Sequence, residues 1–160
     1  MPAVESMVHI NRTPHDVFAF VSDYERDPRW RSEVLEMTYQ NPGPIGMGRL
    51  ALEKSKVFGR RLETLTEVTA YELDMKIVSR TISGPTPVIS TRWVAADGAG
   101  TRFTYRLEVD LSKEWSFRFL HPVLMPLYKK TVEAYLARLK QILENEASHE
   151  RAGSPINTGR

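Results

Sequence analysis

Thr101-Arg102-Phe103-Thr104-Tyr105-Arg106-Leu107-Glu108-Val109-Asp110-Leu111 is the stretch on which the reading of this chain turns. Odd positions carry threonine or apolar side chains, and even positions carry mostly charged ones. Period two means a β-strand with one face buried. Just downstream the period changes. Leu120, Leu124, Leu127, Tyr128, Thr131, Val132, Tyr135, Leu139, Ile142 and Leu143 recur at three- and four-residue steps, which predicts a long amphipathic helix. Pro122 and Pro126 predict an irregular start, with regular helix from Pro126 onward. A helix of about 24 residues is about 36 Å long, close to the span of an eleven-residue strand. The helix can therefore lie along the sheet and bury its apolar stripe there.

Upstream, Asp97-Gly98-Ala99-Gly100 is a hairpin turn, and strands are expected over 88–95, 73–82, 60–70, 48–57 and 33–40. Asn41-Pro42-Gly43-Pro44 and Gly84-Pro85-Thr86-Pro87 punctuate them. Short turns between consecutive strands predict an antiparallel sheet. At the start, Val4, Ser6, Val8 and Ile10 share one face of a further strand. Thr13 suits an N-cap, Pro14 the first helical position and Asp16 the first turn, so a short helix runs from about 14 to 22. Asp23 to Pro28 form a second short helix or turn, closed by Trp30. The result is an α+β fold with about seven antiparallel strands in a curved sheet wrapped around a long C-terminal helix, and two short helices after the first strand. Residues 1–145 form one domain, and 146–160 read as a flexible polar tail.

Composition sets the outer limits. The chain has 160 residues, 41% hydrophobic and 26% charged, near the average for globular domains. Net charge is +2, and the basic residues are interspersed with acids rather than gathered in a patch, which argues against nucleic-acid binding. No cysteine is present, so disulfides and thiolate chemistry are excluded. The opening MPAVESMVHI lacks the basic and apolar regions of a signal peptide, and no run is long enough for stable membrane insertion. The expectation is a cytoplasmic protein. Nothing specifies an oligomer, and a homodimer through sheet edges is compatible.

Five local patterns carry a resemblance: Ile10-x-x-Thr13-Pro14-x-x-Val17-Phe18, Asp23 followed by Trp30, Gly46-x-Gly48, Gly100-Thr101 and Leu139-Lys140-x-x-Leu143-Glu144. In this order the chain resembles the START-like, or helix-grip, superfamily, and within it the polyketide cyclase/dehydratase and lipid-transport group. The resemblance covers about residues 3 to 145. It implies the helix-grip fold and a cavity for a small hydrophobic molecule such as a lipid, steroid or aromatic polyketide. Some members of the group cyclise or dehydrate what they bind.

The residues themselves narrow the chemistry. None of the four histidines pairs at metal-ligand spacing, so neither a metal nor another cofactor is expected. If Phe103, Tyr105 and Leu107 face inward, the alternation is read as bringing Thr91 and Trp93 with them. Ile77 and Ser79 share a face of the strand before, and Thr64 and Thr66 share one with Leu62 and Val68. Apolar walls dotted with hydroxyls suit a ligand pocket, because a solid core leaves fewer hydroxyls in need of partners. The bland alternative is that these are ordinary strand residues. Candidate ligand contacts are Trp93, Tyr105, Phe103, Thr91, Ile77, Ser79, Thr64, Thr66 and Tyr128. Tyr128 points from the helix stripe towards the sheet and is first of all a core residue. Candidate catalytic groups are His121, Tyr105 and Arg92. Arg92 could polarise a carbonyl if it faced inward, but an outward arginine is the simpler expectation. His121 could be a general acid or base, with solvent exposure at the helix start as its plain alternative. Three functions stay open: a binding protein, a cyclase or dehydratase using the same cavity, and an interaction domain with a filled core.

Overall fold

In the computed structural model, residues 2–110 and 121–153 are described, except for the side chains of His121, Pro122 and Ala152. Strand β1 spans Ala3–Ile10 and is followed by helix α1, Pro14–Val21, and a 3-10 helix, Tyr24–Arg29. Six strands follow: β2 (Val34–Tyr39), β3 (Leu50–Val57), β4 (Arg60–Glu72), β5 (Lys76–Ser83), β6 (Val88–Asp97) and β7 (Gly100–Val109). Helix α2 spans His121–Gly153. The strands form one antiparallel sheet in the order β1-β7-β6-β5-β4-β3-β2. From β2 to β7 each strand pairs with its neighbour in sequence, and β1 closes the far edge against β7. This is the helix-grip arrangement.

Local chemistry accounts for the early turns. Thr13 Oγ1 accepts from the Asp16 amide at 3.2 Å, and Pro14 opens α1, where its missing N–H costs nothing. Gly100 is required by close approach: a Cβ there would lie 2.6 Å from the Ile10 carbonyl oxygen. Next to it, Thr101 Oγ1 donates to the Arg12 carbonyl oxygen at 2.7 Å, tying the start of β7 to the loop after β1.

The core sits at one end of the sheet. Trp30 is fully buried, with its ring against Phe103, Tyr105 and Tyr135 at 6.0, 5.5 and 6.5 Å. Val132, Tyr135, Leu136, Leu139 and Leu143 supply the buried stripe of α2. Charged side chains strap the helix to the first strand and the loop after it. Lys140 Nζ donates to the His9 carbonyl oxygen at 2.7 Å, and Arg12 Nη1 to that of Leu143 at 2.9 Å.

Two details of the helix differ from the expectation. It is continuous through Pro126, and it starts by His121. Pro126 lies near the N-terminus, where only one backbone hydrogen bond beyond the first turn is lost. At the other end the expected tail at 146–160 is helical as far as Gly153. Ala147 is buried and Glu146 pairs with Arg29 at 2.8 Å, so packing prolongs the helix past residue 145. No helix among the described residues is long and apolar enough to cross a membrane.

Candidate functional site

Between the sheet and the first two turns of α2 lies a cavity of about 490 Å³. Its walls come from β2 to β7 on one side and from Leu124, Met125, Leu127, Tyr128 and Thr131 of α2 on the other. Buried Tyr24, Ser79, Arg92 and Tyr105 form its closed end, whereas Phe58, 80% exposed, and Leu127, 51% exposed, stand at its mouth.

The closed end is built on a buried ion pair. Arg92 is 2% exposed and Asp27 fully buried. Arg92 grips Asp27 with both terminal nitrogens, Nη1 donating to Oδ1 at 2.9 Å, and also donates to the Val21 carbonyl oxygen at 2.7 Å. Arg31 Nη1 donates to Asp27 Oδ2, which also accepts from Arg92 Nη2, at 2.9 Å and to Glu53 Oε2 at 2.8 Å. Burial is the largest single influence on Arg92 and opposes its charge, but Asp27, through its field and its hydrogen bonds, together with the fields of Tyr24 and Tyr105, outweighs it and holds the guanidinium protonated, above its ordinary pKa. The guanidinium carbon also stacks 4.4 Å from the Tyr24 ring and 5.4 Å from that of Tyr105. The 3-10 helix thus delivers Asp27 to the floor of the cavity, where two arginines need it.

Four polar atoms of this end are buried without a well-formed hydrogen bond: Tyr24 Oη, Arg31 Nε, Ser90 Oγ and Arg92 Nε. Burial raises the Tyr24 pKa, against the lowering effects of Arg92 and Ser79, so the phenol stays a neutral donor. Tyr128, above the cavity, is also raised by burial. An orphaned buried donor is costly in a native fold, and those that face a cavity are open to a polar atom of whatever enters it.

The sequence expectations divide cleanly. Thr64, Thr66, Ser79, Tyr105 and Tyr128 line the cavity, and so does Arg92. Arg92 reverses its expectation: it faces inward, because Asp27 compensates the charge that made an outward position the simpler reading. Trp93 and Thr91 are corrected the other way. In the β6–β7 hairpin Asp97 pairs with Gly100, so Arg92 sits opposite Tyr105 and Val94 opposite Phe103. Trp93 and Thr91 therefore point to the outer face, where Trp93 lies beside Glu72, Lys76 and Thr104 in a shallow groove. Phe103 and Ile77 do face inward, but both are fully buried in the core rather than lining the cavity. The side chain of His121 lies outside the described residues. Asp27, Arg31, Tyr24, Ser90 and Glu53 were not foreseen. The hairpin register alone would have supplied Ser90, by counting back from the turn. Asp27 had no local signal, since its partner is 65 residues away.

No group of three metal-ligating side chains exists among the described residues. Ionisable groups do reach the cavity: Arg31, Glu33, Glu53 and Arg92 all line it.

Comparison with known proteins agrees with this fold. Residues 1–144 match the family model described as polyketide cyclase/dehydrase and lipid transport. No curated protein matches the chain. The crystal structure of TTHA0849 from Thermus thermophilus superposes with a TM-score of 0.77 at 18% identity, over 96% of this chain and all of that one. A START superfamily protein from Mycobacterium smegmatis gives 0.66 at 19% identity, over 92% of this chain and 98% of that one. The di-domain ARO/CYC StfQ of the steffimycin biosynthetic pathway gives 0.70 at 14% identity, over 91% of this chain and 52% of that one. Likeness at these identities concerns the fold, while the family match spans nearly the whole chain. The chain therefore belongs to the polyketide cyclase/dehydrase and lipid transport family.

Proposed function

We propose that this protein binds a small, neutral, largely hydrophobic molecule carrying at least one carbonyl or hydroxyl oxygen. The observation that carries the reading is the set of orphaned atoms at the closed end of a cavity whose walls mix apolar side chains with hydroxyls. Arg92 Nε and Tyr24 Oη can both donate to a ligand oxygen, and Ser90 Oγ can donate or accept. The charge of Arg92 is already matched by Asp27, and Arg31 is shared between Asp27 and Glu53. A carboxylate would meet no unmatched cation there among the described residues, so a neutral oxygen is the better guest. The volume suits a molecule of two to four fused rings or a medium-length chain.

A second reading has its own support. Glu33 and Glu53 line the same cavity as the donors at its closed end. A carbonyl polarised by Tyr24 and Arg92, with a carboxylate positioned to take a neighbouring proton, would make the protein a cyclase or dehydratase. Neither reading needs a cofactor.

The separating experiment is native mass spectrometry of the purified protein beside a denatured sample, followed by titration with 2-acetonaphthone and 2-naphthoate. An extra mass of a few hundred daltons lost on denaturation, and preference for the ketone, are expected. Equal affinity for the carboxylate would sink the neutral-ligand reading. Turnover of a polyketide-like ketone that stops in Glu33→Gln or Glu53→Gln would move the protein to the enzyme reading.

A further inference from the structure

Helices α1 and α2 pack on the inner side of the sheet, where the core and the cavity lie. The outer side is open among the described residues, and the strand register sets its surface row by row. Met7 lies opposite Thr104, Thr104 opposite Trp93, Trp93 opposite Lys76, and Lys76 opposite Glu72. One row thus crosses five strands. Met75 joins it, lining the same shallow groove as Trp93. Met7 and Met75 are each 58% exposed, and Trp93 is partly exposed. Tryptophan and methionine are the side chains that protein contacts favour, and Lys76 and Glu72 neutralise each other at 2.9 Å.

The two flanks of this row differ in charge. Two residues before Thr104 on β7 stands Arg102, exposed and without a carboxylate partner among the described residues. Two residues after it, Arg106 is shared between Glu5 at 3.2 Å and Glu108 at 2.6 Å. One guanidinium between two carboxylates leaves a negative charge unmatched. The face is therefore positive on one flank of an apolar row and negative on the other.

Such a face complements itself. We propose that it pairs with the same face of a second copy of this chain to form a reversible dimer. Half a turn about an axis along the row sets the two apolar rows together. The same rotation brings Arg102 against the partner's Glu5 and the partner's Glu108, and symmetry makes that contact twice. Five strands about 4.8 Å apart and about 20 Å of their length give about 500 Å² per copy, the small end for specific contacts. The dimer is thus a weak one, dissociating at about 10 μM. Each cavity opens on the inner side of its own sheet and stays free, so a guest binds monomer and dimer alike.

The test is sedimentation velocity of the full chain from about 1 to about 200 μM. An average mass that rises from the 18.3 kDa of one chain towards twice that value is expected. Trp93→Ala should weaken association at least about tenfold. Arg102→Glu and Glu5→Lys, both at exposed positions, should each stay monomeric alone, because each sets like charges opposite one another twice. Mixed in equal amounts they should associate, since every facing pair is then opposite in sign. A chain that is monomeric at every concentration overturns the proposal and leaves this face to a partner of different sequence. So does a dimer undiminished by Trp93→Ala, or a mixture of the charge variants that associates no better than either alone.

Discussion

One helix serves two different interiors. The second half of α2 lies in a packed core, where Tyr135, Leu136, Leu139 and Leu143 meet Trp30 and the inner faces of the strands. Its first turns, from Leu124 to Thr131, roof an empty space. The sheet continues unbroken under both. What differs is the size and polarity of the inward residues. At the solid end they are Ile10, Ile77, Val94 and Phe103; at the hollow end they are Ser55, Thr64, Thr66, Ser79, Thr81 and Ser90. Small hydroxyl residues leave room and polar handles, and large apolar ones fill it. Stability should therefore concentrate at the solid end and binding at the hollow one.

The contrast can be tested by substitution. Asp27→Ala should be the most damaging change, because it strands Arg92 and Arg31 without their shared carboxylate; about 3–5 kcal/mol is expected from urea denaturation. Trp30→Ala should cost a similar amount, roughly 3–5 kcal/mol, by opening a void between Phe103, Tyr105 and Tyr135. If Trp30→Ala unfolds at the parent's urea midpoint, the division between the two ends is wrong; the same result for Asp27→Ala would show that the ion pair under the cavity floor is not a stabilising element. Ser90→Ala belongs to the other class. It should weaken 2-acetonaphthone by about fivefold while leaving stability within about 0.5 kcal/mol, since it removes an atom that lacks a partner in the free protein.

Alkaline titration sharpens the same point. Tyr24 and Tyr128 are held above the ordinary tyrosine value of 10.0 by burial. The native state thus favours their protonated forms, and that preference is intact below pH 10 and lost as the unfolded phenols ionise above it. Denaturation midpoints should hold steady through neutral pH and fall from about pH 10 upward. The smallest effect is expected from Trp93→Ala. Its side chain is on the outer face, so Nile red binding in the cavity should not change, and a loss of binding would return Trp93 to the site.

Most of the architecture was legible because it rests on periodicity. The strict alternation from Thr101 to Val109, the turn at Asp97 to Gly100 and the stripe on α2 each report a local preference. The site was legible only in part, for a physical reason. A strand's two faces are separated by a single residue of register, and the apolar bulk of Trp93 made the wrong face look like the inner one. The true inner residue, Arg92, is one that burial disfavours unless a partner arrives from elsewhere. That partner, Asp27, comes from a 3-10 helix whose own sequence, Tyr24-Glu25-Arg26-Asp27-Pro28-Arg29, reads as ordinary solvated surface.

The topology also sets an order in time. From β2 to β7 every pairing is between neighbours in sequence, so a growing chain can assemble this meander as it emerges. Its concave face must then wait, uncovered, until α2 has been made. The helix both roofs the cavity and holds β1, through Lys140 to His9 and Arg12 to Leu143. The pocket is thus the last part of the protein to come into existence during synthesis. A nascent sheet that waits for its lid exposes threonine and serine hydroxyls over much of that face rather than a continuous greasy surface, which lessens its tendency to stick to its neighbours.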